Sequence, residues 1–185
     1  MRETLALCDH MFVVTGGPGS GKTALIEALA AAGPRTMPEA GRAIIRDQVQ
    51  IGGSALPWAD RSSFAELMLS WELRSHREAL ALSGPVVMDR GVPDVMGYLR
   101  LCGLSVPQHV QHAAELFRYN RRVFLAPWWP EIFAQDEERK QDPAEARETG
   151  AVMERTYSDL GYEIVRLPYA SIEDRAAFVL ECIAT

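Results

Sequence analysis

Gly16-Gly17-Pro18-Gly19-Ser20-Gly21-Lys22-Thr23 (GGPGSGKT) satisfies the spacing G-x-x-x-x-G-K-[ST] at every fixed position. The chain enters it through MFVVT at 11–15, a β-branched apolar run that predicts a buried strand. It leaves through residues 21–32, where Leu25, Ile26 and Leu29 recur at helical spacing until Gly33-Pro34 stops the helix. Between a strand and a helix, such glycines let successive backbone N–H groups turn inward and cradle phosphate oxygens. The positive end of the helix adds to that field. Lys22 is then placed to reach the β- and γ-phosphates, and the Thr23 hydroxyl to ligate Mg²⁺. The expected ligand of residues 16–23 is a nucleoside triphosphate, read as ATP with Mg²⁺.

Outward from this loop, apolar runs alternate with helical patterns. Further strands are expected at 35–37, 86–88, 122–126 and 162–167. Helices are expected at 40–50, from Asp60 to about 82, at 93–101, 107–120, 144–160 and 172–183. Strands alternating with helices indicate an α/β domain with a parallel sheet covered on both faces. With 185 residues, 48% of them hydrophobic, the chain suits one such domain, taken as 1–185. Lys and Arg total 19 against 25 Asp and Glu, a net charge of -6, so no nucleic-acid partner is expected. Cys8, Cys102 and Cys182 are far apart and form no metal spacing, which suits reduced thiols. No uninterrupted apolar stretch reaches membrane-spanning length, so a cytoplasmic monomer or homodimer is expected.

Absences narrow the class. No Asn-Lys-x-Asp follows the fourth strand, against a guanine-specific switch, and no Asp-Glu pair ends the third, against a motor or transporter. The third strand ends instead in Asp89-Arg90. Functional groups gather at the carboxyl ends of parallel strands. Asp89 there can hold Mg²⁺ through a water, while Arg90 faces a phosphate or an acceptor. The second strand runs into Glu39-Ala-Gly-Arg42, which either caps a helix or faces the acceptor. Residues 127–143 carry two prolines, two tryptophans and then QDEERKQD, the composition of a mobile lid that excludes water from phosphoryl transfer. Arg139 is the first choice for a lid contact, with Arg121 or Arg122 next. Trp128 and Trp129 read as hinge packing, and Tyr169, after the fifth strand, stands where a purine could lie.

These blocks, GGPGSGKT, EAGR, DRG and YNRRVFLAPWWPEIF with the DEERK that follows, make residues 12–180 resemble a P-loop ATPase/kinase family related to the kinase domain of NadR, grouped with AAA-type ATPase domains. The resemblance implies a nucleoside-monophosphate-kinase-like three-layer α/β/α fold, its five parallel strands in the order 2-3-1-4-5. It also implies that an acid after the second strand meets the acceptor hydroxyl and that an acid–Arg pair closes the third. Glu39 and Asp89-Arg90 occupy those positions. Ala40-Gly41 stands where NadR-like domains often carry an aromatic residue, so nicotinamide riboside is not carried over as the acceptor.

The expected function is phosphoryl transfer from ATP to a small hydroxyl-bearing acceptor. Lys22, Glu39, Asp89, Arg90 and Arg139 are the candidate catalytic residues. Glu39, Arg42 and Arg90 would bind the acceptor, and Thr23 with Asp89 the Mg²⁺. The alternative is a nucleotide-dependent regulatory ATPase that acts through a macromolecular partner.

Overall fold

The structure is a computed structural model that describes residues 8–133 and 143–184. Five strands, β1 (Met11–Gly16), β2 (Arg35–Met37), β3 (Val86–Asp89), β4 (Arg122–Ala126) and β5 (Glu163–Arg166), form one sheet. The order is β2-β3-β1-β4-β5, and every pairing is parallel. The architecture and strand order agree with those that the resemblance implied. Around the sheet pack α1 (Lys22–Ala32), α2 (Ala40–Ile51), α3 (Arg61–Leu80), α4 (Val92–Leu101), α5 (Gln108–Leu116), the short α6 (Pro130–Phe133), α7 (Pro143–Asp159) and α8 (Ile172–Ala184).

Side chains alternate across a strand, so β1 feeds two cores at once. Phe12 and Val14 meet Leu25, Leu29, Phe124 and Val179 on the side of α1 and α8. Met11 and Val13 meet Met88, Val123, Tyr157 and Tyr162 on the side of α7. A further apolar cluster joins α3, α4 and α5 through Leu69, Val95, Met96, Leu99 and Val110. Ile44 and Phe64 pack α2 against α3.

Asp60 caps α3 as its position predicts, accepting from the Ser63 N–H at 3.0 Å and the Ser63 hydroxyl at 2.7 Å. The helix expected at 107–120 ends earlier, at Leu116. The next residues have partners elsewhere: His76 Nε2 donates to the Arg118 carbonyl, and the Asn120 N–H donates to the Met11 carbonyl. Those bonds turn the chain into β4 and compete with one more helical turn.

Because all five strands are parallel, their carboxyl ends share one edge of the sheet. The loop after β1, Glu39 two residues beyond β2, and Asp89 at the end of β3 converge there. Arg121 and Arg122 do not, since they stand at the opposite, amino-terminal end of β4, where Arg121 pairs with Glu163 at 2.9 Å. Their expected lid role is therefore corrected. Arg118 is also structural: its guanidinium lies 3.9 Å from the Tyr162 ring and donates to the Leu160 carbonyl. Arg139, Lys140 and most of the expected lid lie outside the described residues.

Candidate active site

The loop after β1 tightens onto its own backbone. Lys22 Nζ donates to the Gly17 carbonyl at 2.6 Å and to Ser20 Oγ at 3.2 Å, and Ser20 Oγ donates to the same carbonyl at 2.7 Å. Gly21 takes a left-handed φ of 77° as α1 begins, a conformation that costs a residue with a Cβ about 1–2 kcal/mol. Gly17 is required for a different reason: α7 crosses so closely that a Cβ on Gly17 would overlap the Ala146 carbonyl. Burial pushes the Lys22 ammonium down to about 7, with Arg90 adding to the effect and Asp89, Glu39 and Asp94 opposing it.

Glu39 occupies the N-cap position of α2, yet its carboxylate makes no cap hydrogen bond. Arg90 Nε donates to Glu39 Oε1 at 3.2 Å, and Arg42 Nε lies 3.6 Å from Oε2. Glu39 thus stands at the start of α2 as one of its two readings had it, but its side chain turns toward the end of β3 instead of bonding to the helix amides. Burial alone would raise the Glu39 carboxyl, but Arg90, Lys22 and Arg42 together hold it below its ordinary value.

Arg90 departs from ordinary backbone with φ 76° and donates its N–H to the Val14 carbonyl. A non-glycine residue held there costs on the order of 1–3 kcal/mol, and such positions concentrate at functional sites. Its guanidinium is clamped from a second side by Asp94, which accepts from Arg90 Nη1 at 3.0 Å. Asp94 also accepts from Thr15 Oγ1 at 2.6 Å, Tyr157 OH at 2.6 Å and the Gly91 N–H at 3.1 Å. One buried carboxylate therefore ties β1, α4 and α7 to the arginine. Sequence reasoning gave Asp94 no role, although its i, i+4 spacing from Arg90 across the start of α4 was a usable signal.

Asp89 is buried, and its Oδ1 has no hydrogen-bond partner among the described residues. Burial, reinforced by the Glu39 charge, raises its carboxyl to about 6. These side chains wall one cleft of about 800 Å³. Residues 18–24 line one half. The other half adds the faces of Ile45, Phe64, Met68 and Tyr98, with Phe64 and Tyr98 in edge contact at 5.4 Å. A site of this size with a few convergent polar groups suits a small ligand. Glu72, also missed from sequence, reaches the cleft from α3. Beyond the P-loop, Trp129 packs against Tyr169 at 5.7 Å, and Arg147 lies over Trp128 at 4.7 Å, so both tryptophans pack against neighbouring side chains.

Residues 11–175 match the family model described as AAA domain. The chain belongs to this AAA domain family. The sequence resemblance to NadR-related P-loop kinases extends to solved structures. A NadR protein in complex with NR is 18% identical, with a TM-score of 0.66 over 96% of this AAA domain and 52% of the other chain. Shikimate kinase from Acinetobacter baumannii in complex with shikimate is 16% identical, with a TM-score of 0.55 over 98% and 97% of the two chains. Deoxyadenosine kinase from M.mycoides with bound dATP is 8% identical, with a TM-score of 0.55 over 95% and 100%. At these identities the likeness is one of fold, and this AAA domain spans about half the length of the NadR protein. No curated protein matches it. Among the described residues, no helix is long and apolar enough to cross a membrane.

Proposed function

We propose that this AAA domain transfers the γ-phosphoryl group of ATP to the hydroxyl of a small acceptor. The observation that carries the reading is Glu39: its carboxylate, held by Arg90, faces the same cleft as Lys22 and the P-loop amides. The amides of residues 16–23 and Lys22 would hold the phosphates. The donor set fits Mg²⁺, since Asp89 offers a buried, unpartnered carboxylate oxygen and Thr23 a hydroxyl on the cleft. Among the described residues, no three or more acids, histidines or cysteines are grouped so that they could hold a metal ion by themselves. That suits a cation bound mainly by phosphates and water rather than by a protein cage. When bound, Mg²⁺ would neutralise charge on the transferring group.

Arg90 and Arg42 orient Glu39 and, through it, the acceptor hydroxyl. The hydroxyl oxygen forms a bond to the γ-phosphorus as the bond to the bridging oxygen of ADP breaks, and the hydroxyl proton passes to Glu39. A carboxylate kept below its ordinary value is a weak base. Phosphoryl transfer has a loose transition state in which that proton leaves late, so orientation matters more than basicity. Arg139, outside the described residues, would close over the transferring group, and Tyr169, 64% exposed, would lie against the base.

The test is ATP turnover with and without a panel of nucleosides, sugars and antibiotic-like alcohols, with products read by phosphorus NMR or mass shift. Acceptor-dependent turnover and a phosphorylated alcohol are expected. Nucleotide-dependent binding to a macromolecule without acceptor stimulation would instead identify a regulatory ATPase.

Arg175 supplies a separate prediction. It is 1% exposed and donates from Nη1 to the Ser20 carbonyl at 3.1 Å, while its Nε has no partner among the described residues. Burial pushes this guanidinium down from its ordinary range. Arg175→Met removes an expensive buried charge together with its hold on the P-loop. The melting temperature should stay level or rise, while the KM for ATP increases about tenfold, the effect of a charged hydrogen bond. Melting curves and ATP titrations check the two halves.

A further inference from the structure

Glu72 is 4% exposed, lines the cleft from the inward face of α3, and has no hydrogen bond or ion pair among the described residues. The other buried residues of α3 are Phe64, Ala65, Leu69, Ser75, Ala79 and His76, whose Nε2 is taken by the Arg118 carbonyl. A buried carboxyl without a partner costs several kcal/mol in an apolar site, so a fold that keeps one needs a reason. Nearby cations do not supply it. Arg90 is committed to Glu39 and Asp94, Arg42 faces Glu39, and Arg61 Nε donates to the Pro57 carbonyl. The cleft wall as a whole carries six carboxylates against four cations.

We propose that Glu72 selects the phosphoryl acceptor by receiving a second hydrogen-bond donor, a hydroxyl or an amine, on the same molecule as the reacting hydroxyl. This rests on the kinase reading above. The acceptor is then an uncharged or ammonium-bearing alcohol. Its apolar face lies against Phe64, Met68 and Tyr98, and its polar edge spans from Glu39 to Glu72. Alcohols that carry a carboxylate or phosphate are disfavoured, because their charge would meet Glu39 and Asp94, which already share Arg90 between them. In this respect the site differs from one suited to shikimate, which is a carboxylate. Burial drives the Glu72 proton affinity well up, with Asp94, Asp89 and Glu39 adding to the rise and Arg90 opposing it, so the free protein favours the protonated carboxyl and a hydroxyl or ammonium donor on the acceptor is what would stabilise the charged form.

The experiment uses the whole chain with ring alcohols in three charge classes, represented by deoxyadenosine, glucosamine and shikimate. Binding is followed by saturation-transfer NMR and transfer by mass shift. Wild type should bind the uncharged or ammonium-bearing probe and not shikimate. Glu72→Ala should raise the Kd and KM for the bound probe about 10- to 100-fold, the range for a lost hydrogen bond to a buried charged group, with the KM for ATP unchanged. Glu72→Gln should rescue the uncharged probe and not the ammonium one. The variants should fold. The folded state holds the Glu72 proton more tightly than the unfolded chain, so wild-type stability falls as pH rises above the unfolded value of about 4.3. Glu72→Gln should therefore melt higher than wild type at pH 7–8. Tighter binding of shikimate, an unchanged Kd in Glu72→Ala, or no binding of any probe overturns the proposal. Glu72-dependent binding without transfer overturns only the kinase reading, and transfer with an unaltered KM in Glu72→Ala overturns only the role of Glu72.

Discussion

Replacing Lys22 by alanine is expected to lower phosphoryl transfer on the order of a thousandfold, with a rise in the KM for ATP. The ammonium is buried in the P-loop, where an electrostatic contact is far stronger than in water. Its bonds to the Gly17 carbonyl and to Ser20 Oγ show how close it lies to the amides that would cradle phosphate. The pH dependence has a definite sign. Burial pulls the Lys22 ammonium down to about 7, so the cation is lost as pH rises through that value unless a phosphate stands opposite and holds the proton. ATP should thus bind more weakly to the free protein above pH 7. Calorimetric titration between pH 6 and 9, with turnover measured alongside, checks both. If Lys22→Ala binds and turns over ATP normally, the P-loop assignment fails.

Glu39→Gln is expected to keep ATP binding within about threefold and to lose transfer on the order of a hundredfold or more. Glutamine preserves shape and can still accept from Arg90, which Asp94 holds in place from its other side at 3.0 Å. What disappears is the negative charge that attracts the hydroxyl proton. A small fold effect with a large loss of turnover therefore separates chemistry from architecture, and melting curves beside single-turnover transfer are the relevant pair. Should transfer continue unchanged, Asp89 takes the proton instead. Its carboxyl, raised to about 6 by burial, is the better base of the two in electrostatic terms.

How much of this was legible in sequence depended on chain separation. GGPGSGKT is eight consecutive residues with a fixed spacing, so the loop, its strand and its helix could be read directly. Glu39 and Arg42 are one helical turn apart and likewise stood out as a pair. The partner of Glu39 was not legible, because Arg90 lies 51 residues away. Glu72 read as one more polar residue in a long helix. Only its place between Leu69 and Ser75 on the inward face hinted otherwise. Arg121 and Arg122 misled for the same reason: a charge beside a strand has no address until the strand's direction in the sheet is known.

By itself the sequence determined the class of fold, the glycine-rich loop between β1 and α1 and the acid–Arg pair at the end of β3, since each is written in adjacent residues and their local geometry. Tertiary structure alone decided what those groups face. The Tyr157–Asp94 bond crosses 63 residues and the Arg175–Ser20 bond 155, and both exist because helices pack on a parallel sheet whose strand ends share one edge. That packing turned Glu39 from a possible helix cap into the partner of Arg90. It also left Glu72 on the cleft without a hydrogen bond among the described residues, an arrangement that no run of neighbouring residues could encode.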